Sequence, residues 1–539
     1  MHTVQLGTAR SSDAHDLMVR AVRRIAGVAV LLLVLVLLSV LSGCASLPQP
    51  APRAPTQALG GAGTALAQVV VASLQGAQPG QSGVRLLADG DHALDARLAL
   101  IAHSTRSLDV QYYQIASDAV GLRFLRELRD AAARGVRVRL LVDDLYAAGQ
   151  DALFATLAAQ PNLELRLFNP LPVRAGNLAT RFALSLHQFE RINHRMHNKL
   201  FVADGMVAVA GGRNIGNEYF MRGEQSNFID MDVLVCGPVV GALQSVFDSY
   251  WNSEHAWPVQ QLAAAAAGAP ADGFDALVQA AAQVLPVSSQ DRFGHAPVSR
   301  QLAAGQLTLR FSALGVIADD PAKAAGRADV GTTTRAQVGA LMGQASDELF
   351  IVSPYFVPGS GGMAMLQAVA ARRVRTTVLT NSLGATDEPM VHAGYAPYRL
   401  AMLKMGVKLH ELGATLSRKS SLFANLGSST GRLHAKVAVV DGERLFIGSM
   451  NMDPRSERHN TEMVLVIDSA ELAGEVVALF RGDAQASSYR LRLSADQQRI
   501  EWLANEQGQE VQQAAEPDSG LAGKLKRVLL AAVIAEDLL

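Results

Sequence analysis

The chain has 539 residues, 49% of them hydrophobic and 18% charged, with 48 basic side chains against 49 acidic ones. That length admits two domains with accessories, and the composition excludes a disordered or fibrous chain. A formal net charge of −1 excludes a global pull toward nucleic acid or anionic lipid, so any such attraction must be local.

At the N-terminus, Arg20, Arg23 and Arg24 precede an unbroken apolar run from Ile25 to Leu41, which ends in Leu41-Ser42-Gly43-Cys44. A basic region, an apolar stretch and small closing residues describe an export signal over residues 1–43, with Met18 as a second plausible start. The run is marginal for a permanent span. The tetrapeptide resembles the lipobox of bacterial lipoproteins, which implies a lipidated Cys44 as the mature N-terminus; an uncleaved signal anchor is the alternative. Either reading puts the body on the far side of the inner membrane. Ala45 and Ser46 lack the aspartate that resembles an inner-membrane retention signal, which favours an outer-membrane lipoprotein facing the periplasm. The second of the two cysteines, Cys236, ends the apolar run Val233-Leu234-Val235-Cys236 and reads as a buried small hydrophobe, without a disulfide framework.

Residues 44–82, rich in Ala, Pro, Gln and Gly, read as a flexible tether. Strand and helix patterns then alternate through a first lobe over 83–258. Leu108–Tyr113 predicts a strand, Gly121–Arg134 an amphipathic helix, and Val136–Val142 a second strand ending in Asp143-Asp144. Such order implies parallel strands under helical cover. An Ala-rich, helix-prone segment over 259–303 leads into a second lobe over 304–485, where Glu348–Val352, Met363–Arg372 and Val374–Thr380 repeat strand, helix and strand. Residues 486–539 form an extension. Its Lys524, Lys526 and Arg527 beside Leu525, Val528, Leu529 and Leu530 predict an amphipathic helix that lies on a bilayer or packs on the body.

Each lobe carries one copy of a spaced motif. His197-Asn198-Lys199 is followed by Asp204, and His434-Ala435-Lys436 by Asp441; each then reaches a glycine-containing turn with an asparagine, Gly211-Gly212-Arg213-Asn214 or Gly448-Ser449-Met450-Asn451. The spacing from His to Asn is the same in both, 214 − 197 = 17 and 451 − 434 = 17. The offset between copies is 237 at the histidines and 238 at the strands beginning Val136 and Val374, so the chain contains an internal duplication. In an extended segment the His and Lys share one face, which sets an imidazole and an ammonium over one phosphorus atom. Neither half alone holds both a nucleophile and an acid. The two halves must therefore meet at an interface.

On these paired motifs the chain is identified as a member of the phospholipase D superfamily. Arg195-Met196-His197-Asn198-Lys199, Gly211-Gly212-Arg213-Asn214-Ile215-Gly216, Val391-His392-Ala393-Gly394-Tyr395-Ala396, Asp453-Pro454-Arg455-Ser456 and Asn460-Thr461-Glu462-Met463 resemble the bacterial cardiolipin synthases, in particular the C-type branch. The resemblance covers roughly residues 83–539. It implies an α/β fold of two duplicated lobes with the active site between them, and catalytic residues His197, Lys199, Asp204, His434, Lys436 and Asp441. It also implies phosphatidyl transfer through a phosphohistidine, with phosphatidylglycerol as substrate, phosphatidylethanolamine as a second candidate, and no cofactor. His197 is assigned as nucleophile by analogy and His434 as acid and base.

From the residues themselves, Lys199, Lys436, Asn214 and Asn451 suit the non-bridging phosphate oxygens. Asp204 and Asp441 stand beside Gly205 and Gly442 on the following turn, which favours a structural role. Superposing Asp230-Met231-Asp232-Val233 on Glu462-Met463-Val464-Leu465 makes Asp230 and Glu462 the expected orienters of the imidazoles, with Asp232 a competitor. His392, Tyr395 and Tyr398, like Tyr112 and Tyr113, fit a substrate pocket and a packed core equally well. No metal-ligand spacing is present among the remaining histidines. Rival readings are a phospholipase D that sends the same intermediate to water, and a nuclease-type phosphodiesterase. The neutral charge and the missing basic-aromatic stripe speak against the second, so no nucleic-acid partner is expected.

Overall fold

The computed structural model describes residues 46–48, 52–262, 273–278, 286–417, 429–484, 486–506, 509–513 and 515–517. The export signal, Cys44, and the basic apolar tail around Lys524 lie outside the described residues.

In the first lobe the strands Ser107–Tyr112, Arg137–Asp143 and Leu163–Phe168 pair in parallel. Their connections are the helices Ala119–Ala133 and Asp151–Ala158. The Ala119–Ala133 helix starts where the Asp118 carboxylate accepts the Gly121 N–H at 2.9 Å. Val120, Phe124, Leu125 and Leu128 recur on one face and are buried there, and Gly135, at φ +94°, turns the chain back to the sheet. The sheet continues antiparallel through Leu200–Ala203, Val207–Gly211, Asp232–Cys236 and Ser82–Leu87.

The second lobe repeats this plan. Glu348–Val352, Arg375–Asn381 and Lys408–Leu412 are parallel, and Val437–Val440, Arg444–Gly448, Met463–Asp468 and Leu314–Ala318 complete the antiparallel side. Among the described residues the two sheets have nine and ten strands. One apolar layer fills the outer side of each sheet and a third lies between the lobes, where Val202, Val233 and Phe247 join a continuous core with Val437, Ile447 and Ile467. The helices Val239–Trp251 and Ala470–Leu479, related by the duplication, both contribute to that shared layer. The fold is therefore two duplicated α/β lobes joined face to face.

Three boundaries differ from the sequence reading. The expected tether over 44–82 is docked from its middle onward: Thr56, Ala58 and Gly60 hydrogen-bond to Asn252, Asp248 and Arg106, and the helix Ala65–Ser73 buries Leu66, Val69 and Val70 in the first lobe's core. Composition misled because a strap held through its backbone needs few large side chains. The first lobe also extends past 258, since the helix Val298–Ala303 packs on Gly90–His103 and Arg310–Ser312 pairs with Ser82–Leu87. Only two residues later, Leu314–Ala318 belongs to the second sheet. Finally, the extension after 485 is part of the second sheet, because Ser488–Leu493 pairs with Lys408–Leu412 and carries Ile500–Glu506 and Gln509–Gln513 beyond it. Among the described residues no helix is long and apolar enough to cross a membrane.

Candidate active site

Two short parallel ladders cross between the lobes. Arg195–Met196 pairs with Asn460–Thr461, and Thr430–Leu433 pairs with Ser226–Ile229. The first runs into His197 and the second into His434. The His197 N–H donates to the Thr461 carbonyl at 2.9 Å, and the His434 N–H to the Ile229 carbonyl at 2.8 Å. The residues after those carbonyls are Glu462 and Asp230. Each ladder therefore delivers an imidazole from one lobe and its carboxylate from the other. The strand ends behind them are braced alike: Met196 N–H donates to Asp143 at 2.8 Å and Leu433 N–H to Asn381 at 2.9 Å.

His197 Nδ1 lies 2.9 Å from Glu462 Oε2, and His434 Nδ1 lies 2.5 Å from Asp230 Oδ2. Ser449 and Ser456 also donate to Glu462, at 2.5 and 2.8 Å. Burial would raise both carboxyls, but His197, Lys199 and Ser449 outweigh it at Glu462, as His434, Lys436 and Arg213 do at Asp230; both are held below the ordinary carboxylate range. An ionised carboxylate only accepts, so each Nδ1 carries the proton and each Nε2 presents a lone pair. Asp230 and Glu462 thus occupy the places expected of them, with partners exchanged between halves. Asp232, the competitor, is taken up by Arg97 at 2.9 Å and Arg213 at 3.3 Å.

Burial drives His197 down to about 4, against the pull of Glu462. Burial and Lys436 likewise lower His434. Burial also lowers both lysines, Lys199 well below its ordinary value and Lys436 to about 8. Each ammonium folds back to donate to the carbonyl of its own histidine, Lys199 to His197 at 2.5 Å and Lys436 to His434 at 2.6 Å. His197–Lys199 is an extended link between a cross-lobe ladder and the strand Leu200–Ala203 rather than part of either. Buried cations with little solvation and few partners are a strong site for an anion.

The glycine turns are explained by approach. A Cβ on Gly212 would lie 2.1 Å from Asp230 Oδ1, and one on Gly448 would lie 2.1 Å from the Met463 carbonyl, so any side chain there would push the orienting strands away. Asn214 donates to the Tyr219 hydroxyl at 3.0 Å, and the Tyr219 ring stands 5.2 Å from His434; Asn451 sits beside Ser456, which accepts its backbone N–H at 3.2 Å.

Asp204 and Asp441, grouped with the catalytic residues by the resemblance, stand at the other end of the motif strands. Asp204 accepts the N–H groups of Thr105, Arg106 and Ser107 at 3.0, 2.8 and 2.9 Å. Asp441 accepts those of Ser346, Asp347 and Glu348 at 3.0, 2.8 and 2.9 Å. Each, in the left-handed region at φ 51° and 55°, staples the first parallel strand of its lobe. A four-residue strand spans roughly 13 Å, too far for contact with the imidazoles.

The ambiguous aromatics separate. Tyr113 stands edge-on to His197 at 5.0 Å, whereas Tyr112 is core, its hydroxyl 2.9 Å from Arg97. Tyr395 is buried against Phe356, and His392 is held by Glu516 and Arg399, so both are packing residues; Tyr398 packs at the edge of the same core. Cys236 is a buried free thiol. Phe228, 4.9 Å from His434, and Asp319, whose carboxylate accepts the Glu462 N–H at 2.8 Å, carried no signal in the sequence because they act only across strands. Among the described residues no group of three or more His, Cys, Asp or Glu side chains is arranged to hold a metal ion.

The family described as cardiolipin synthase, PLD-like domain, matches residues 98–251 and 338–484, one match in each lobe. Cardiolipin synthase C of Escherichia coli K12 is 37% identical over 441 residues, covering 81% of this chain and 92% of that protein. Cardiolipin synthase A of Pseudomonas fluorescens is 27% identical over 401 residues, covering 74% and 68%. The crystal structure of a phosphatidylserine synthase from Haemophilus influenzae Rd KW20 superposes with a TM-score of 0.54 at 14% identity, covering 85% of this chain and 95% of that one, which supports the fold. The chain belongs to the phospholipase D superfamily, as an enzyme of its cardiolipin synthase-like phosphatidyltransferase branch.

Proposed function

We propose that this protein makes cardiolipin by moving a phosphatidyl group from one phospholipid to the glycerol hydroxyl of phosphatidylglycerol. The observation that carries the reading is the crossed pair of carboxylate-oriented imidazoles, with two buried lysines between lobes that match cardiolipin synthases. In the first half-reaction His197 Nε2 attacks phosphorus, a nitrogen–phosphorus bond forms, the bond to the headgroup oxygen breaks, and His434 gives that oxygen its proton. In the second, His434 takes the proton of the acceptor hydroxyl, whose oxygen attacks phosphorus and releases His197. Lys199 and Lys436 balance charge on the non-bridging oxygens throughout.

The same intermediate given to water would yield phosphatidic acid, so the choice between synthase and phospholipase D rests on which hydroxyl reaches phosphorus. An acceptor lipid seated in line competes with bulk water through proximity. Part of this proposal is an exported lipoprotein anchored at Cys44 and facing the periplasm, in the outer membrane rather than the inner. Expression in a cardiolipin-deficient bacterial host, followed by lipid analysis, tests the reading: cardiolipin should reappear with the intact chain and not with His197→Ala. With purified enzyme in mixed micelles containing phosphatidylglycerol, a product dominated by phosphatidic acid would move the assignment to phospholipase D.

A further inference from the structure

Eight large hydrophobic side chains remain exposed among the described residues, and five of them lie on segments that follow parallel strands of the two sheets. Leu184, Leu186 and Phe189 lie in the segment between the strand Leu163–Phe168 and His197. Tyr146 lies in the short helical turn Leu145–Ala147 after Arg137–Asp143, and Met390 at the start of the helix Pro389–Tyr395, which follows the loop after Arg375–Asn381. These segments follow the C-terminal ends of parallel strands in both lobes, the end at which the motif histidines sit.

Contacts tie the region to the site. The Tyr146 ring meets Tyr113 at 5.3 Å, and Tyr113 meets His197 at 5.0 Å, so aromatic rings run from the buried imidazole to the surface. Arg174 holds Asp144, beside Tyr146, at 2.6 Å, and the same arginine and Arg181 both pair with Asp151, which fixes the apolar segment against that loop. The Tyr355 hydroxyl donates to Asp387, three residues before Met390, at 2.8 Å, and the Tyr355 carbonyl accepts the N–H of Met452, beside Asn451, at 3.2 Å. Tyr146 thus borders the His197 half of the site, and the segment carrying Met390 borders the Asn451 half. Phe182 and Phe189 pack edge to face at 6.4 Å, which stiffens the segment while Leu186 stays 51% exposed.

We propose that Leu184, Leu186, Phe189, Tyr146 and Met390 form a rim that seats the mouth of the site on a phospholipid bilayer. The inference rests on the phospholipid reading above. A substrate whose phosphodiester lies at a membrane surface must pass from that surface to buried histidines, and an apolar rim at the mouth enters the headgroup region where it is most needed. A tyrosine suits that boundary because one end is apolar and the other polar. With a net charge of −1 the protein has no long-range attraction to draw it to anionic lipid, so its contact with the membrane must be local. Thr56 to Gly60 bind Asn252, Asp248 and Arg106, the last of which is stapled by Asp204 at the end of the sheet away from the histidines. A chain held there does not by itself bring the mouth to a membrane.

The test uses the full chain reconstituted in vesicles of phosphatidylglycerol and phosphatidylcholine. A bimane label at Leu186→Cys should be quenched by lipids brominated near the headgroup at least threefold more than one at Val71→Cys, on the helix Ala65–Ser73 away from the mouth. Equal quenching at both positions overturns the rim. The triple variant Leu184→Ser, Leu186→Ser, Phe189→Ser should lose tenfold or more of its turnover on bilayer lipid and keep, within twofold, its turnover on short-chain phosphatidylglycerol dispersed as monomers. An equal loss on both substrates assigns the segment to the site or its folding and overturns the rim. Quenching at Leu186→Cys in a wild-type background that turns over neither lipid form would leave the rim standing and sink the phospholipid reading instead.

Discussion

Because Asp230 and Glu462 are held ionised, each keeps the proton of its imidazole on Nδ1, and the free Nε2 is the atom that can attack or accept a proton. Glu462→Gln keeps the size but offers an amide that can donate, which permits the wrong tautomer of His197; turnover should drop about 10²–10⁴-fold, the usual range for general acid and base catalysis, with little change in KM. His197→Ala and His434→Ala should each abolish turnover. Since the two act as a unit, the double variant should be scarcely worse than either single one, read in a single-turnover assay. The pH profile follows from the same groups. The reaction needs His197 neutral and His434 protonated, and both lie below the ordinary histidine value in the free protein. As pH falls, His197 protonates and the nucleophile is lost; as pH rises, His434 loses the proton it must donate. The kcat/KM bell should therefore centre on the acidic side of 6.5, its two apparent values belonging to the pair. The kcat profile should lie at higher pH, because bound phosphodiester stabilises the imidazolium. A kcat/KM bell centred above neutrality would contradict these directions.

At the scale of an element, the motif aspartates explain how a loop between strands becomes rigid enough to aim a histidine. Asp204, fully buried, gathers three consecutive N–H groups at the start of Ser107–Tyr112, and Asp204→Ala would leave them without an acceptor. Hydrogen bonds to a charged group contribute about 1.5–3 kcal/mol each, partly recovered by water, so a loss on the order of 3 kcal/mol in urea unfolding is expected. Asp441→Ala should cost less, because the groups it staples are already exposed. Turnover per folded molecule should hardly move in either variant. A loss of turnover at full stability would return these aspartates to the catalytic set.

For the whole molecule, the second sheet's three added strands bind the C-terminal part to the body. Trp502 donates to Glu411 at 3.0 Å, and Glu411 pairs with Arg399 at 2.7 Å, which in turn holds Glu516 at 2.8 Å. Trp502→Ala empties a core position and leaves part of a buried charge network unsatisfied; a loss of about 3–5 kcal/mol is expected by denaturant melt. A change under 1 kcal/mol would mean that these strands are peripheral to the lobe.

Much of this was legible in the residues. Equal spacing from His197 to Asn214 and from His434 to Asn451 announced a duplication, and local strand and helix patterns placed the two α/β lobes, because periodicity is a property of neighbouring residues. The same alignment nominated Asp230 and Glu462. Contacts made over long separations could not be read this way. His197 meets Glu462 across 265 positions and His434 meets Asp230 across 204, so which carboxylate serves which imidazole was decided by the two cross-lobe ladders. The strap at Thr56 and the strands after Ser488 were missed for a related reason: one is held by backbone groups that composition does not reveal, and the other completes a sheet whose edge lies in a different stretch of chain. By itself the sequence determined the chemistry, two imidazoles with cationic partners. Only the tertiary structure decided their pairing, their burial and so their proton affinities, because desolvation and partner exchange exist only once the lobes have closed on each other.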